Sequence, residues 1–283
     1  MTMVWRDTAI DGLRVRIRDG DPQKCLVMLH GIGSDNTSFD LLAEHLPKDV
    51  MLIAWNAPGY GGSQALTDKY PQAKDYAQSL LSVVDGLDLN QFTLVGHSLG
   101  TLIATEFAAL FPQRASSLVL LASAQGYGHQ PGALLPQKAV ARLKDLARLG
   151  PLAFAQSRAP RLMHRPETQP EILQTAIGTM ASIAPESYAQ AVHMLACGNL
   201  STRAADVQIT SLVLVGQEDQ ITLPSQSLSV HEALKNASPG MAHQYGEVEQ
   251  AGHLLHQEQP ATVAARISAF AGWETANTTK VPA

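Results

Sequence analysis

Phe92-Thr93-Leu94-Val95-Gly96-His97-Ser98-Leu99-Gly100 is the stretch that decides the fold. Residues 92–95 predict a short buried strand, and the stretch from Thr101 to Phe111 follows with a helical period. Ser98 therefore stands at a sharp strand-to-helix turn, where the glycines two residues away on either side relieve crowding. Such a turn exposes the hydroxyl above the sheet, and the N-terminus of the following helix favours developing negative charge. The stretch predicts a nucleophilic serine; the alternative is a turn serine that only caps the helix.

Other short apolar runs predict further strands of the same sheet. They are Cys25 to Leu29, Val50 to Ala54, Leu118 to Leu121 and Leu212 to Val215. Runs this uniformly apolar are typical of strands covered on both faces, and amphipathic helical stretches separate them. The alternation predicts βαβ units and a mainly parallel sheet. Val4 to Thr8 and Leu13 to Ile17 predict an antiparallel entry hairpin, and a polar strand is predicted near His243 to Glu249.

The 283 residues are 45% hydrophobic and 16% charged, against a typical charged share of about 25%. This composition indicates a folded globular protein with a sizeable core. Residues 125–206 have helical patterns with Pro and Gly breakers but no convincing strand. We therefore predict an α/β core formed by residues 1–124 and 207–273, an inserted helical lid at residues 125–206, and a frayed tail at residues 274–283.

Charge and cysteine usage exclude several classes of function. With 20 Lys plus Arg against 25 Asp plus Glu, the net charge of -5 provides no sequence-wide basic footprint for nucleic acid. Cys25 and Cys197 are too few for a disulfide framework and are expected to be reduced thiols. No stretch approaches 18 apolar residues, and the N-terminus lacks the apolar region of a secretory signal. We expect a cytoplasmic protein that binds no membrane; its oligomeric state is left open.

The strand, turn and helix around Ser98 resemble the nucleophile turn of the α/β-hydrolase fold family. The resemblance implies an eight-stranded, mostly parallel sheet with flanking helices and an inserted helical lid. His30-Gly31-Ile32-Gly33-Ser34 looks like the family's oxyanion loop, and by that resemblance the backbone amides of Ile32 and Leu99 would bind an oxyanion. His30 is a candidate substrate-binding residue. The alternative for this loop is a glycine-rich turn without a catalytic role.

The family's acid is expected after the Leu212 to Val215 strand. Gly216-Gln217-Glu218-Asp219 stands there, and the family pattern favours Asp219 over the adjacent Glu218. The family's other location for the acid, residues 122–125, contains no carboxylate. Asp219 is therefore predicted to orient the base.

Ala251-Gly252-His253 resembles the family's histidine loop, which makes His253 the predicted general base. His256 lies three residues further on but lacks a preceding glycine, and a surface or packing role is expected for it. The order Ser98, Asp219, His253 is that of α/β hydrolases.

A serine at the turn disfavours the relatives that open epoxides or displace halides with an aspartate there. Hydrolysis of an ester, lactone, thioester or amide through an acyl-enzyme is left, with no metal or organic cofactor. Within the family, the triad spacing and short insert look most like enol-lactonases and small carboxylesterases. Carbon-carbon bond hydrolases of ring-cleavage products carry Asn before the serine and Trp after the histidine, whereas this chain has His97 and Leu254. Cofactor-free haloperoxidase activity and a non-enzymatic small-ligand receptor are further alternatives.

The predicted lid contains a basic segment. Between Gln137 and Arg165 there are seven basic residues and one acidic residue, Asp145. One interpretation is a solvated helical face. The other is that an arginine, Arg158 or Arg161, points inward and binds a carboxylate of a small-molecule acyl substrate.

Overall fold

One sheet of eight strands crosses the protein in the computed structural model, which describes residues 4–273; the predicted tail, residues 274–283, lies outside the described residues. The strands are β1 (Arg6–Ile10), β2 (Leu13–Arg18), β3 (Asp21–Leu29), β4 (Val50–Trp55), β5 (Phe92–His97), β6 (Ala115–Leu121), β7 (Thr210–Gly216) and β8 (His243–Val248). The helices are α1 (Asp40–His45), α2 (Ala73–Gly86), α3 (Leu99–Leu110), α4 (Gln137–Arg158), α5 (Pro170–Ala181), α6 (Pro185–Cys197), α7 (Leu200–Ala204), α8 (Pro224–Ala237), α9 (Leu255–Glu258) and α10 (Pro260–Ala271).

The strand order is β1-β2-β4-β3-β5-β6-β7-β8. β2 pairs antiparallel with β1 and β4, and all later pairs are parallel. From β3 the chain builds the sheet first toward β4 and then, on the other side, toward β5. The loops after β3 and β5 therefore leave the same sheet edge as neighbours, with Leu29 opposite Gly96 in register. Such a switch point is where open α/β sheets place their ligands.

Both faces of the sheet are buried, which explains the uniformly apolar strands. Leu26 and Met28 of β3 pack in the core on the side of α1 and α10, whereas Val27 and Leu29 pack in the core on the side of α2 and α3. Side chains of a strand alternate between its faces, so two buried faces require an apolar residue at every position. The predicted mostly parallel, eight-stranded α/β fold is confirmed.

Residues 125–206 contain α4 to α7 and no strand. α4 packs against α5 and α6, and it bends where Gly150 adopts a left-handed backbone (φ 75°) immediately before Pro151. Proline cannot donate to the preceding turn, so the helix changes direction at this point. The extent of the lid as a separate domain stays a prediction.

Element boundaries differ from the sequence prediction at several ends. β3 begins at Asp21 rather than Cys25, because its exposed polar start still pairs with Val50 of β4. The stretch between β3 and β4, one of the predicted amphipathic helical stretches, forms a 3-10 turn, Asn36–Phe39, followed by the short α1. Hydrophobic pattern marks only the buried part of an element, and so it misses ends that project into solvent.

Candidate active site

Ser98 occupies the turn between β5 and α3 in a left-handed backbone conformation (φ 51°, ψ -117°). A Cβ at Gly96 would collide with the carbonyl oxygen of Gly100, and a Cβ at Gly100 would collide with that of Leu29. The turn therefore requires glycine at both positions. Ser98 Oγ is held above the end of the sheet, facing a cavity.

Three predicted residues from three separate loops meet here. His253 Nε2 lies 2.8 Å from Ser98 Oγ, and His253 Nδ1 lies 2.8 Å from Asp219 Oδ2. All three side chains are buried. With Nδ1 protonated and donating to the carboxylate, Nε2 is left as an acceptor for the Ser98 hydroxyl proton.

The Asp219 carboxylate is 2% exposed and accepts several hydrogen bonds. Oδ1 accepts from the backbone N–H groups of Ile221 (2.8 Å) and Thr222 (3.0 Å), and Oδ2 accepts from Thr222 Oγ1 (2.7 Å) as well as from His253. Burial raises the pKa of Asp219, but the His253 charge and the hydrogen bonds from His253 and Thr222 outweigh burial and hold the pKa below its ordinary value. The adjacent Glu218 is exposed, and its side chain takes part in none of these hydrogen bonds. Asp219 thus stays ionised beside His253.

The predicted oxyanion loop borders the same cavity. Ile32 and Leu99 both line it. Within residues 4–273 the Ile32 amide donates to no protein group, and Leu99 is the first residue of α3, whose N–H has no partner within the helix. A Cβ at Gly31 would stand 2.9 Å from Ser98 Cβ, so the loop passes directly against the serine. Two unpaired amides beside Ser98 Oγ suit a developing oxyanion.

The cavity has a volume of about 180 Å³ and lies between the sheet edge and residues 125–206. Three arginines of the basic segment line it: Arg142, Arg158 and Arg161. Arg142 and Arg158 are partly buried, whereas Arg161 is exposed although it borders the cavity. The other four basic residues of the segment are exposed and lie outside the cavity wall: Lys138, Lys144, Arg148 and Arg165. The segment is therefore partly a solvated face and partly a cavity wall.

No carboxylate within residues 4–273 forms an ion pair with any of the three cavity arginines. The Arg158 guanidinium lies over the Phe154 ring, 5.2 Å from its centroid. Burial, followed by the neighbouring Arg142 charge, lowers the pKa of Arg158 from its ordinary value. Clustered like charges of this kind favour an anion in the cavity.

His30 is the predicted site residue that the structure does not bring into the cavity. Its Nδ1–H donates to the Gly31 carbonyl (2.9 Å), and its Nε2 accepts from the Ala57 N–H (3.0 Å). The side chain is 2% exposed, and burial lowers its pKa. With both ring nitrogens occupied, His30 joins the two loops that follow β3 and β4 instead of contacting a ligand.

His256 is fully buried, in agreement with a packing role. Its ring lies 4.3 Å from that of His97 and 5.3 Å from that of Phe39, centroid to centroid. Burial, with a smaller contribution from His253, lowers the pKa of His256 to about 3. His256 is therefore neutral at physiological pH.

Sequence reasoning missed two functional neighbours of these residues. Thr222 Oγ1 donates to the Asp219 carboxylate and lies 3.1 Å from His253 Nδ1; a hydroxyl three residues after the acid was the available signal. Arg142 lines the same cavity as Arg158, although the two residues lie on either side of the bend in α4 at Gly150. The sequence does not show how α4 bends, and so it does not show that both arginines reach the cavity. The described residues contain no group of three or more His, Cys, Asp or Glu side chains that could hold a metal ion.

Comparison with known proteins identifies the family of the chain. The sequence profile of the "Alpha/beta hydrolase family" matches residues 26–266, which include Ser98, Asp219 and His253. The chain belongs to the alpha/beta hydrolase family. It is a hydrolase, and its fold is the one expected from the sequence. No helix within residues 4–273 is long and apolar enough to cross a membrane.

Individual relatives match this chain over different lengths. An uncharacterized protein of Mycobacterium tuberculosis is 29% identical over 170 residues, which cover 60% of this chain and 47% of the relative, so the chain matches about half the length of that protein. The 2-hydroxymuconate semialdehyde hydrolase of Pseudomonas sp. (strain CF600) is 26% identical over 281 residues, covering 94% of this chain and 93% of the relative. The enol-lactonase of Burkholderia xenovorans LB400 superposes with a TM-score of 0.81 at 21% identity, covering 94% of this chain and 99% of that one.

Proposed function

We propose that this hydrolase cleaves a carboxylic ester or lactone bond of a small-molecule substrate through an acyl-enzyme on Ser98. One observation carries the proposal: Ser98 Oγ, His253 and Asp219 form a continuous chain of 2.8 Å hydrogen bonds beside two unpaired backbone amides. A cavity of about 180 Å³ suits a substrate smaller than a drug-sized ligand, whose pockets measure about 300–1,000 Å³.

The proposed reaction has two halves. Ser98 Oγ attacks the carbonyl carbon while His253 Nε2 takes the hydroxyl proton, and the Ile32 and Leu99 amides bind the oxyanion. His253 then returns the proton to the leaving alkoxide, which departs as an alcohol from an ester or stays on the acyl chain as a hydroxyl when a lactone ring opens. Water then attacks the acyl-enzyme while His253 takes its proton, and His253 passes that proton to Ser98 Oγ as the bond to the acyl group breaks, which releases the carboxylic acid and free Ser98. Asp219 holds the productive tautomer of His253 and stabilises its protonated form.

The first experiment measures hydrolysis of a short-chain p-nitrophenyl ester and of a panel of lactones by the wild type and by Ser98→Ala. We expect Ser98→Ala to lower kcat at least about a thousandfold, because the substitution removes the hydroxyl that acts as the nucleophile. Ser116→Ala, at an exposed position of β6, is the matched control and should retain wild-type rates. Activity that survives Ser98→Ala would contradict the proposal.

We further propose that the substrate carries a carboxylate and that the lid of residues 125–206 recognises it. The unpaired arginines in the cavity wall support this. Arg158→Met should raise KM for acidic esters about 10- to 100-fold and leave neutral esters unchanged, since a hydrogen bond to a charged group contributes about 1.5–3 kcal/mol. Arg148→Met is the control, because Arg148 is exposed and pairs with Asp145 instead. Equal effects on both substrate types would rule out a carboxylate contact.

A second candidate is carbon-carbon bond hydrolysis of a ring-cleavage product such as 2-hydroxymuconate semialdehyde. The Pseudomonas relative named for hydrolysing that compound is similar along nearly the whole chain, which favours this candidate. His97 and Leu254 stand where that group carries Asn and Trp, which weighs against it. Turnover of the semialdehyde, with no turnover of any ester or lactone, would favour it over acyl transfer. Fluorophosphonate labelling of Ser98 without turnover of any substrate would instead indicate a small-ligand receptor.

A further inference from the structure

The loop that carries the base, residues 252–254, is held at every residue by a different part of the protein. Gly252 N–H donates to Glu258 Oε2 (2.8 Å), and Leu254 N–H donates to the Leu162 carbonyl (3.1 Å). The His253 carbonyl accepts from His97 Nε2–H (2.9 Å), immediately before the nucleophile. Because the backbone of the loop is fixed on both sides of His253, the position of its imidazole depends on these contacts.

Glu258 is the side chain that connects this loop to the predicted lid. Its second oxygen, Oε1, accepts from the His164 N–H (2.7 Å), and His164 closely follows the 3-10 turn Ala159–Leu162. A Cβ at Gly252 would lie 2.8 Å from His164 N, so the two segments touch and the contact requires glycine. One carboxylate thus joins the base loop to the segment that carries Arg161.

Packing alone does not explain a glutamate at this position. The side chain is 7% exposed, and no lysine or arginine within residues 4–273 forms an ion pair with it. A buried carboxylate without a cation is costly unless hydrogen bonds compensate for lost hydration. Here both oxygens are used, and both bonds go to backbone groups of segments that border the cavity.

We propose that Glu258 is a positioning residue, which holds the base loop against the lid segment 162–164 so that His253 Nε2 stays within hydrogen-bond distance of Ser98 Oγ. The inference rests on the proposed function, because it assigns His253 the role of base. Glu258 contacts neither Ser98 nor the cavity, and it acts only through the loop backbone.

The ionisation state of Glu258 provides a second readout. Burial raises its pKa, the two N–H donors and His164 lower it, and the negative charge of Asp219 raises it, with a net upward shift. Protonation as the pH falls would leave one oxygen a poor acceptor and loosen one of the two contacts. A glutamine at this position imitates that state at every pH.

The test compares kcat, KM and the rate of fluorophosphonate labelling of Ser98 in the wild type and in Glu258→Gln. We expect kcat and the labelling rate to fall together by about 10- to 100-fold, the effect of a misplacement of about 1 Å, with KM within about twofold of the wild type. In the wild type, protonation of Glu258 should lower kcat as the pH falls. In Glu258→Gln this part of the pH dependence of kcat should be absent. Glu249→Gln, at an exposed position beside the same loop, is the control and should behave as the wild type.

Rates are expressed per active site titrated with the fluorophosphonate, so that partial unfolding does not imitate a catalytic defect. Glu258→Asp, which keeps the charge but shortens the reach, is the second variant and should also lose kcat per active site. Wild-type kcat per site in either variant would overturn the inference. If Ser98→Ala is inactive while both Glu258 variants match the wild type, only this inference fails; if Ser98→Ala remains active, the proposed function fails.

Discussion

Replacing Asp219 with asparagine tests the orientation of the base. Oδ1 accepts two backbone N–H groups, those of Ile221 and Thr222, so the amide oxygen of an asparagine must take that place. Its NH₂ group then occupies the position of Oδ2, 2.8 Å from His253 Nδ1. A donor at that position requires Nδ1 to accept, and the imidazole proton moves to Nε2, where it faces Ser98 Oγ and cannot act as a base.

The expected effect is large because the wrong tautomer abolishes general-base catalysis and leaves the oxyanion contacts in place. An aspartate-to-asparagine change in a Ser-His-Asp triad lowers kcat about 10⁴-fold, which corresponds to about 5 kcal/mol of transition-state stabilisation. Hydrolysis of a p-nitrophenyl ester at neutral pH measures it, with Glu218→Gln as the adjacent, exposed control. Asp219→Asn with more than about a tenth of wild-type kcat, or a comparable loss in the Glu218 control, would refute this reasoning.

Two further substitutions examine the surroundings of the serine. Gly31→Ala places a Cβ 3.4 Å from Ser98 Oγ and should lower kcat at least about tenfold, whereas Gly240→Ala, with open space around it, should not; equal kcat in the two would contradict the geometry. His97→Leu removes the donor to the His253 carbonyl and should lower kcat about tenfold through an unpaired buried group. Burial and the neighbouring histidines hold the pKa of His97 well below its ordinary value, so the pH profile should keep its shape; a lost titration limb would show that His97 is charged.

Local pattern was sufficient for the sheet and for the turn at Ser98, whereas Asp219 and His253 were predicted through the family resemblance. Strands covered on both faces are apolar along their buried length, and Ser98 directly follows such a strand. Parallel strands bring the loops at their carboxyl ends to one edge, so chain order already implies proximity.

The same pattern could not reveal contacts made by residues whose role depends on a distant partner. His30 resembles a cavity residue in sequence, yet Ala57 and Gly31 occupy both its nitrogens. The hydrogen bond between Glu258 and the His164 N–H likewise joins residues 94 positions apart. Such pairings are set by tertiary packing, and single-sequence periodicity carries no information about them.

The backbone of Ser98 has a thermodynamic consequence. A non-glycine residue in a sparsely populated conformation costs about 1–3 kcal/mol, and Ser98 carries this strain at φ 51°. Glycine would adopt the same backbone without strain, so Ser98→Gly should unfold at a higher temperature than the active protein while losing its nucleophile. The turn that exposes Ser98 Oγ to the cavity therefore lowers the stability of the folded protein.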